Sequence, residues 1–375
     1  MDNPVKKFFS ELNLFEGGKG DSAVGIDIGS SAIKVVEIKK SGGKAMLETY
    51  GSISLGSYAG VDMGYVTNLP TEKITEALKE VLKQSDVSTT SSAFSIPVQS
   101  SLIFSISLPP QIKESEIPSI IPTEARKHIP VPITEVSVDY FILPEKASSF
   151  EEENNTDEAS VPTNNTEVLV VAIQNDIISK YRSIVSSCDL SAGFFEIEVF
   201  SSIRSNFEHE LSLVLLMDFG ASSTKLTLVE FGMVRSHHTI NRGGADITSA
   251  ISKSLSIPFS KAEEMKKEYG LFENPVEKSL ADIIKVHMDY IFSETNNVLL
   301  GYEKKHNKTI NKVILSGGGA LLKGLKETAL NNFRAEVEIG HPFSKVSAPE
   351  FLKKVLETTG PEFAVALGLA LRKLQ

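Results

Sequence analysis

Two short stretches of the chain share one pattern of residues, and this repeat restricts the folds that the chain can adopt. Residues 24–38 read VGIDIGSSAIKVVEI and residues 217–229 read MDFGASSTKLTLV, so each places an aspartate, a glycine, serines and a lysine between apolar runs. Apolar runs separated by a tight turn of small residues predict two β-strands joined as a hairpin. A duplicated hairpin predicts an α/β protein of two similar halves with a cleft between them.

The residue types in these turns are those that bind a polyphosphate. Glycine lets the backbone come close to an anion, serine contributes hydroxyl and amide donors, and lysine adds a positive charge. An aspartate can hold the water shell of a magnesium ion. Either turn alone is typical of an ordinary hairpin, but the aligned pairs favour two jaws that clamp one nucleotide. These pairs are Asp27 with Asp218, Gly29 with Gly220, Ser31 with Ser222, and Lys34 with Lys225.

Composition narrows the compartment and the class of partner. The 375 residues are enough for two or more domains, and the net charge of −10 argues against a nucleic-acid binder. Cys188 is the single cysteine, so an internal disulfide is excluded and a reducing compartment is expected. No run of residues approaches the ~18 apolar positions of a membrane-spanning helix. These features predict a soluble cytoplasmic protein.

The order of patterns along the chain predicts two lobes, one of which carries an insertion. The lead-in has five apolar side chains on one helical face, and it either docks on a membrane or partner, packs on its own domain, or is a frayed tail. The predicted regions are a lead-in at 1–22, a first-lobe core at 23–97 completed by 191–212 and the C-terminal helix 361–375, an inserted α+β subdomain at 98–190 with a flexible acidic loop at 145–167, and a second lobe at 213–360 with a helical subdomain at 253–306.

A third motif lies near the C-terminus. Residues 313–325 read VILSGGGALLKGL, which predicts a strand, a turn of three glycines and a helix. A glycine-rich turn between a strand and a helix aims backbone N–H groups and the positive end of the helix dipole at a ligand.

The three motifs resemble those of the actin-like ATPase superfamily in order and rough spacing. GIDIGSSAIK is similar to its first phosphate loop, MDFGASSTK to its second, and ILSGGGALLKGL to its adenosine loop. Within the superfamily, EARKHIPVPITEVSVDY, and RGGADIT followed by KAEEMKKEYG, are similar to the PilM family of type IV pilus assembly proteins, on the branch shared with FtsA. The resemblance covers nearly the whole chain from residue 23. It implies a two-lobed actin-like fold of duplicated ribonuclease-H-like halves, with the α+β insertion in the first lobe.

The resemblance also implies which residues bind ATP and Mg²⁺. Asp27 and Asp218 would hold the magnesium ion through water. The implied nucleotide-binding residues are Asp27, Gly29, Ser30, Ser31 and Lys34 in the first loop, Asp218, Gly220, Ser222, Ser223 and Thr224 in the second, Gly244 at the ribose, Glu263 and Lys266 beside the ribose and adenine, and Gly317, Gly318 and Gly319 around the adenine. The spacing of Glu263 and Lys266 places both on one helical face.

One departure from the superfamily pattern bears on catalysis. Hydrolytic members carry a polar residue ahead of the second phosphate loop that orients the attacking water, and the matching region here, FFEIEVFSSIRSNF, has no glutamine. Glu196 and Glu198 are the acidic residues there, and each could equally be buried scaffold or exposed surface. We assign no catalytic residue and expect ATP binding with at most weak ATPase activity.

Three functions fit this set of motifs. The resemblance favours a cytoplasmic ATP-binding scaffold, peripheral to the inner membrane, that binds the cytoplasmic N-terminal tail of a PilN-like protein. Contact with the pilus motor ATPases and self-association are looser expectations. One alternative is a filament-forming division protein like FtsA, which would usually add a C-terminal linker and a membrane helix. The other is a small-molecule kinase of the same fold, for which the sequence offers no convincing base near a substrate hydroxyl.

Overall fold

The computed structural model describes residues 21–143, 165–208, 210–272 and 278–374. The predicted lead-in, up to residue 20, and most of the predicted acidic loop lie outside the described residues.

Strands and helices are interspersed along the chain, and the long apolar runs of the sequence become the central strands. In chain order the strands are β1 (Ser22–Ile28), β2 (Ala32–Ser41), β3 (Lys44–Ser54), β4 (Ser91–Ile96), β5 (Ser101–Leu108), β6 (Val136–Ile142), β7 (Thr166–Gln174), β8 (Ser191–Ile197), β9 (Val214–Phe219), β10 (Thr224–Glu230), β11 (Met233–Ile240), β12 (Lys312–Ser316) and β13 (Glu336–Ile339). The α-helices are α1 (Gly56–Ala59), α2 (Thr71–Gln84), α3 (Ile117–Ala125), α4 (Asn175–Ser187), α5 (Glu198–Asn206), α6 (Gly244–Leu255), α7 (Phe259–Tyr269), α8 (Lys278–His306), α9 (Leu325–Asn332), α10 (Lys353–Thr359) and α11 (Ala364–Leu374).

Two sheets of the described structure have the same topology, which confirms the predicted duplication. The first has the order β3-β2-β1-β4-β8 and the second the order β11-β10-β9-β12-β13. In each, an antiparallel three-stranded meander is extended by two parallel strands. Parallel neighbours need a crossover connection, and helices supply it in both halves.

The first lobe buries its sheet between helices on both faces. On one face, α2 contributes the apolar stripe Ile74, Leu78 and Val81 to the core cluster that contains β1 and β4. On the other face, α11 packs on β1 and β2. Helix α11 reaches β1 closely because Gly25 has no side chain, and a Cβ added there would overlap the Ala366 carbonyl oxygen.

The inserted subdomain is a three-stranded antiparallel sheet of order β5-β7-β6. One face packs against α3, and the other joins the core of the first lobe. Helix α4 was predicted to belong to this insertion, but its residues Ile178, Tyr181 and Ile184 pack in the first-lobe core beside α2 and β8. Helix α4 therefore contributes to the first-lobe core as well as following the inserted strands in the chain.

The second lobe is also shorter than predicted. Its core joins the second sheet to α6, α8 and α9. Residues 342–359 were assigned to this lobe, but Phe343, Val346 and Leu356 pack against Val36 and Ile38 of β2. Met46 of β3 also forms a parallel bridge with Ser347. The segment that ends at α10 is thus part of the first lobe.

In the described ranges, no helix combines the length and the apolar character that crossing a membrane requires.

Candidate functional site

The two repeated motifs form hairpins of the same register. In the first, Asp27 lies opposite Lys34 and the Gly29 N–H donates to the Ala32 carbonyl at 3.0 Å. In the second, Asp218 lies opposite Lys225 and the Gly220 N–H donates to the Ser223 carbonyl at 3.0 Å. Each turn therefore begins with a glycine and presents its serines beyond the strand ends.

Both turns open onto one cavity between the lobes. Most of the predicted nucleotide-binding residues line this cavity: Asp27, Gly29, Ser30, Ser31, Lys34, Asp218, Gly220, Ser222, Ser223, Gly317 and Gly318. Each turn lies at the C-terminal end of the central strand of its sheet, and residues of both turns line this one cavity.

A buried charge network forms the floor of the cavity. Lys225 Nζ donates to Glu198 Oε2 at 2.6 Å and to Asp218 Oδ2 at 3.4 Å, and Ser95 Oγ donates to Asp27 Oδ1 at 2.7 Å. Burial raises the pKa of Glu198, and the nearby carboxylates of Asp218 and Asp27 raise it further. The Lys225 ammonium lowers this pKa but does not outweigh them. Burial alone would lower the pKa of Lys225, but the Asp218 and Glu198 carboxylates outweigh it and raise that pKa.

The charges of this floor fit a divalent cation bound through its water shell. The carboxylates of Asp27, Asp218 and Glu198 outnumber the ammonium groups of Lys34 and Lys225 that line the same cavity. Within the described ranges, no three His, Cys, Asp or Glu side chains converge as a direct metal-binding set. A Mg²⁺ ion usually keeps several waters and takes its remaining ligands from carboxylates and substrate phosphates. The residues present therefore fit Mg²⁺ only together with a phosphate ligand.

The glycine turn after β12 packs against the second hairpin. Gly317 has φ of +80°, and a Cβ there would collide with Asp218 Oδ1 and the Phe219 backbone. Gly318 lines the cavity, whereas Gly319 lies against the Phe219 ring with no room for a side chain. The turn enters a short 3₁₀ helix, Gly318–Leu321, and α9 begins only at Leu325.

Gly244, Glu263 and Lys266, which were predicted at the ribose and adenine, lie beside the cavity rather than in its lining. The Gly244 N–H donates to the Gly220 carbonyl at 2.9 Å, so the start of α6 rests on the second phosphate turn. Lys266 Nζ donates to the Gly244 carbonyl at 3.0 Å, to Thr248 at 2.7 Å and to Glu263 at 2.7 Å. Burial raises the pKa of Glu263, but Lys266 outweighs this and lowers it. This pair ties α7 to α6 next to the predicted ribose position.

Thr224 is not brought to the cavity. Its side chain is fully buried, and its hydroxyl donates to the Arg242 carbonyl at 2.9 Å. This hydrogen bond joins the start of β10 to the turn that follows β11, so the geometry gives Thr224 a structural contact.

The structure separates the two acidic residues that the sequence left unresolved. Glu196 is buried and forms ion pairs with Arg204 and Arg372. Burial would raise its pKa, but these two guanidinium groups lower it to about 2. Glu198 instead begins α5 and lines the cavity. Glu196 is scaffold, and Glu198 belongs to the site.

Several cavity residues were not among the predicted binding residues. The alignment of the two motifs pairs Lys225 with Lys34, which was a predicted binding residue. The same pairing could have predicted that Lys225 also lies in the site. Glu362 comes from the turn before α11, and no sequence motif pointed to it. The cavity residues outside the predicted set are Ala32, Glu198, Ser202, Ala221, Lys225, Ser316, Pro361, Glu362, Ala364 and Val365.

Contacts across the mouth of the cleft join the lobes. Tyr65 stacks on Phe259 with ring centroids 3.7 Å apart, and the Ser260 N–H donates to Asp62 Oδ2 at 3.2 Å. Deeper in the cleft, Gln99 Nε2 donates to Ser223 Oγ at 2.9 Å. The first-lobe loop before α2 thus closes over α7 of the second lobe.

Duplicated sheets with paired hairpin turns around a shared cleft define the actin-like fold. The solved structure of ethanolamine utilization protein EutJ from Carboxydothermus hydrogenoformans is similar in fold, with a TM-score of 0.53 and 14% identity over 98% of each chain. A solved PilM-PilN type IV pilus biogenesis complex contains a chain similar to this one. The TM-score is 0.78 with 25% identity, over 96% of this chain and 100% of that chain. The sequence profile described as type IV pilus assembly protein PilM matches residues 25–374. This chain belongs to the PilM family of type IV pilus assembly proteins.

Curated relatives that match about half of this chain are cell division proteins. FtsA of Staphylococcus epidermidis (strain RP62A) is 26% identical over 206 residues, which cover 48% of this chain and 44% of that protein. FtsA of Helicobacter pylori (strain J99) is 26% identical over 228 residues, which cover 54% of this chain and 42% of that protein. The chain therefore spans less than half the length of these relatives.

Proposed function

We propose that this protein binds ATP with Mg²⁺ in the cleft between its lobes and acts as an ATP-dependent scaffold in type IV pilus assembly. The observation that carries the proposal is the pair of hairpin turns of identical register that open onto one cavity. Backbone N–H groups and hydroxyls of Ser30 and Ser31 on one wall, and of Ser222 and Ser223 on the other, are suited to the oxygens of a triphosphate. Lys34 supplies positive charge, and Asp27 and Asp218 would hold the magnesium ion through water.

The proposal includes hydrolysis that is weak at most. Glu198 is the carboxylate best placed to orient a water, but both of its oxygens have partners. Oε1 accepts the Val98 N–H at 2.8 Å, and Oε2 accepts from Lys225 at 2.6 Å. A general base must be within hydrogen-bond reach of the proton that it removes. A carboxylate held by two protein donors is a poor base until one of them leaves.

The proposed partner is the cytoplasmic N-terminal segment of a PilN-like inner-membrane protein. Membership of the PilM family and similarity to a chain of a PilM-PilN complex support this choice. The inserted subdomain is the proposed docking region, and binding there would hold the protein at the cytoplasmic face of the inner membrane. Nucleotide occupancy would set the angle between the lobes and so bias the docking surface. Contact with motor ATPases and self-association remain expectations of the same proposal.

Thermal unfolding with and without ATP and Mg²⁺ tests the nucleotide proposal. A ligand that binds only the folded state at 100 times its Kd stabilises it by about 2.7 kcal/mol, so the melting temperature rises. Asp27→Asn keeps an acceptor for Ser95 but removes the charge, and we expect it to lose most of this rise. The matched control is Asp86→Asn, at an exposed position outside the cleft lining. An equal rise in Asp27→Asn and wild type would remove the proposed metal role.

The partner is tested separately with a synthetic peptide. The probe is the N-terminal cytoplasmic segment of the PilN-type protein from the same organism, labelled with a fluorophore, and the readout is anisotropy. We expect saturable binding by the full chain, and no binding by a scrambled peptide. Equal signals from both peptides, with ATP binding intact, would contradict the scaffold proposal.

A further inference from the structure

A loop of the first lobe leaves the first phosphate turn and returns to it. We call this loop, residues 55–67, the strap. At its start, the Leu55 N–H donates to the Ser31 carbonyl at 2.9 Å. At its end, the Thr67 N–H and Oγ1 donate to the Ser30 carbonyl at 2.8 Å and 3.2 Å. Both ends of the strap are therefore fixed to the first phosphate turn, so the strap moves with that turn.

The strap also binds the start of α7, which belongs to the second lobe. The Tyr65 ring stacks on the Phe259 ring, with centroids 3.7 Å apart and planes inclined by 22°. The Ser260 N–H donates to Asp62 Oδ2 at 3.2 Å. We call these two contacts the latch. Each of them joins one lobe to the other, so both break when the lobes separate at the mouth of the cleft.

Helix α7 takes an acceptor for its first turn from the other lobe. The first N–H groups of an α-helix have no partner within the helix, and the helix dipole favours a negative charge beside them. The N-cap position of α7 is held by Pro258, whose side chain has no acceptor, and the first turn contains no acidic residue. Asp62 of the strap supplies the carboxylate. The cleft is therefore closed when this N–H group has its acceptor, and opening the cleft leaves that group to water.

Helix α7 is connected in turn to the second phosphate turn. Lys266 of α7 donates to the Gly244 carbonyl at 3.0 Å, and the Gly244 N–H donates to the Gly220 carbonyl at 2.9 Å. The strap passes beside Glu263 of α7, because a Cβ built on Gly64 would lie 3.2 Å from Glu263 Cδ. The latch therefore joins the two phosphate turns from outside the cavity, next to the residues predicted at the ribose.

We infer that the latch sets the rate of nucleotide exchange. The inference deepens the proposed function and rests on ATP binding between the two turns. A nucleotide held by both turns leaves only when the lobes move apart. Lys225 and Glu198 join the lobes at the floor of the cleft, so an opening rotation separates them at the mouth, where the latch lies. The latch residues do not line the cavity, so the latch holds the closed state to the same extent with and without nucleotide.

A weaker latch should therefore speed entry and exit of ATP by the same factor and leave Kd unchanged. Tyr65→Ala removes the ring stack, and an aromatic pair corresponds to up to about tenfold in an equilibrium constant. Asp62→Ala removes the acceptor at the start of α7, and the loss of a helix cap corresponds to about fivefold. The matched controls are Tyr65→Phe, which keeps the ring, and Asp62→Asn, which keeps an acceptor.

Rapid filtration with radiolabelled ATP and Mg²⁺ measures both rate constants on the full chain. Association is followed after mixing, and dissociation is followed during a chase with excess unlabelled ATP. We expect both rate constants to rise by up to about tenfold in Tyr65→Ala and up to about fivefold in Asp62→Ala, with Kd changed less than twofold. Tyr65→Phe and Asp62→Asn should match the wild type. Asp62 is exposed, so Asp62→Ala tests the inference even where Tyr65→Ala lowers the stability of the fold.

The outcomes separate this inference from the proposed function. Absence of ATP binding by the wild type overturns both. Normal ATP binding with wild-type rate constants in Tyr65→Ala and Asp62→Ala overturns the inference and leaves the ATP site standing. A faster dissociation with unchanged association, and therefore a weaker Kd, would show that the two residues act in binding and would also overturn the inference.

Discussion

Replacing Lys225 tests the charge balance at the floor of the cleft. Lys225→Met keeps much of the aliphatic length and removes the ammonium that contacts Glu198 and Asp218. Three carboxylates then remain without that cation, and burial together with Asp218 and Asp27 already raises the pKa of Glu198. The protein relieves this repulsion most easily by protonating Glu198.

The size of the effect follows from that protonation. A carboxyl with the ordinary pKa of 4.5 costs about 3.4 kcal/mol to protonate at pH 7 and about 1.4 kcal/mol at pH 5.5. The folded-state pKa of Glu198 is raised, so this cost is absent at low pH and grows as the pH rises above 4.5. We expect Lys225→Met to lower the free energy of unfolding by about 3 kcal/mol at pH 7. At pH 5.5 the decrease should be smaller by about 2 kcal/mol.

Urea unfolding without nucleotide, followed by circular dichroism at both pH values, measures this difference. The double variant Lys225→Met/Glu198→Gln removes the unpaired carboxylate and keeps an acceptor for the Val98 N–H, so it should recover most of the loss. The control is Lys267→Met, because Lys267 is an exposed partner of Glu263 and surface pairs contribute about 0–1 kcal/mol. A double variant less stable than Lys225→Met, or a loss independent of pH, would refute the reasoning.

Two further predictions concern pH and backbone strain. Burial lowers the pKa of His237 from 6.5 to about 4. Below pH 6.5 the unfolded chain therefore binds a proton at this imidazole, whereas the folded chain binds it only near pH 4. His237 should therefore lower the free energy of unfolding by about 2 kcal/mol between pH 7 and pH 5. In urea unfolding, His237→Gln should lose about 2 kcal/mol less than the wild type over the same pH range. Gly317→Ala should cost at least about 2 kcal/mol and abolish ATP-induced stabilisation, because Gly317 has positive φ and no space for a Cβ. Gly42→Ala, at positive φ but in open space, should cost about 1 kcal/mol and leave that stabilisation intact, and equal effects of the two would contradict the assignment.

The sequence carried enough local information to predict the sheets and the phosphate turns. Each hairpin is a short-range structure whose glycine, serines and flanking apolar runs determine its register. Because the motif occurs twice, the duplication could be inferred without knowing any long-range contact. The stripe of α2 was likewise visible, since helical spacing alone places Ile74, Leu78 and Val81 on one face.

Features that depend on contacts distant in sequence were not predicted. Helix α4 follows the inserted strands in the chain, but its apolar face packs in a core cluster that also contains residues of α2 and β8 of the first lobe. Phe343 follows the second sheet, yet it packs on β2. Glu196 and Glu198 differ by two positions, and only the fold shows that the first meets two arginines and the second faces the cleft. Their chemical identity is the same, so no local pattern could separate them.

A structure determined with Mg²⁺ and a non-hydrolysable ATP analogue tests the central claim most directly. It should show the phosphates between the two hairpins, within hydrogen-bond distance of backbone N–H groups in both the turn at Gly29–Ser31 and the turn at Gly220–Ser223. The Mg²⁺ ion should lie in water-mediated contact with Asp27 and Asp218. Phosphates that contact only one turn, or a nucleotide bound outside the cleft, would contradict the account.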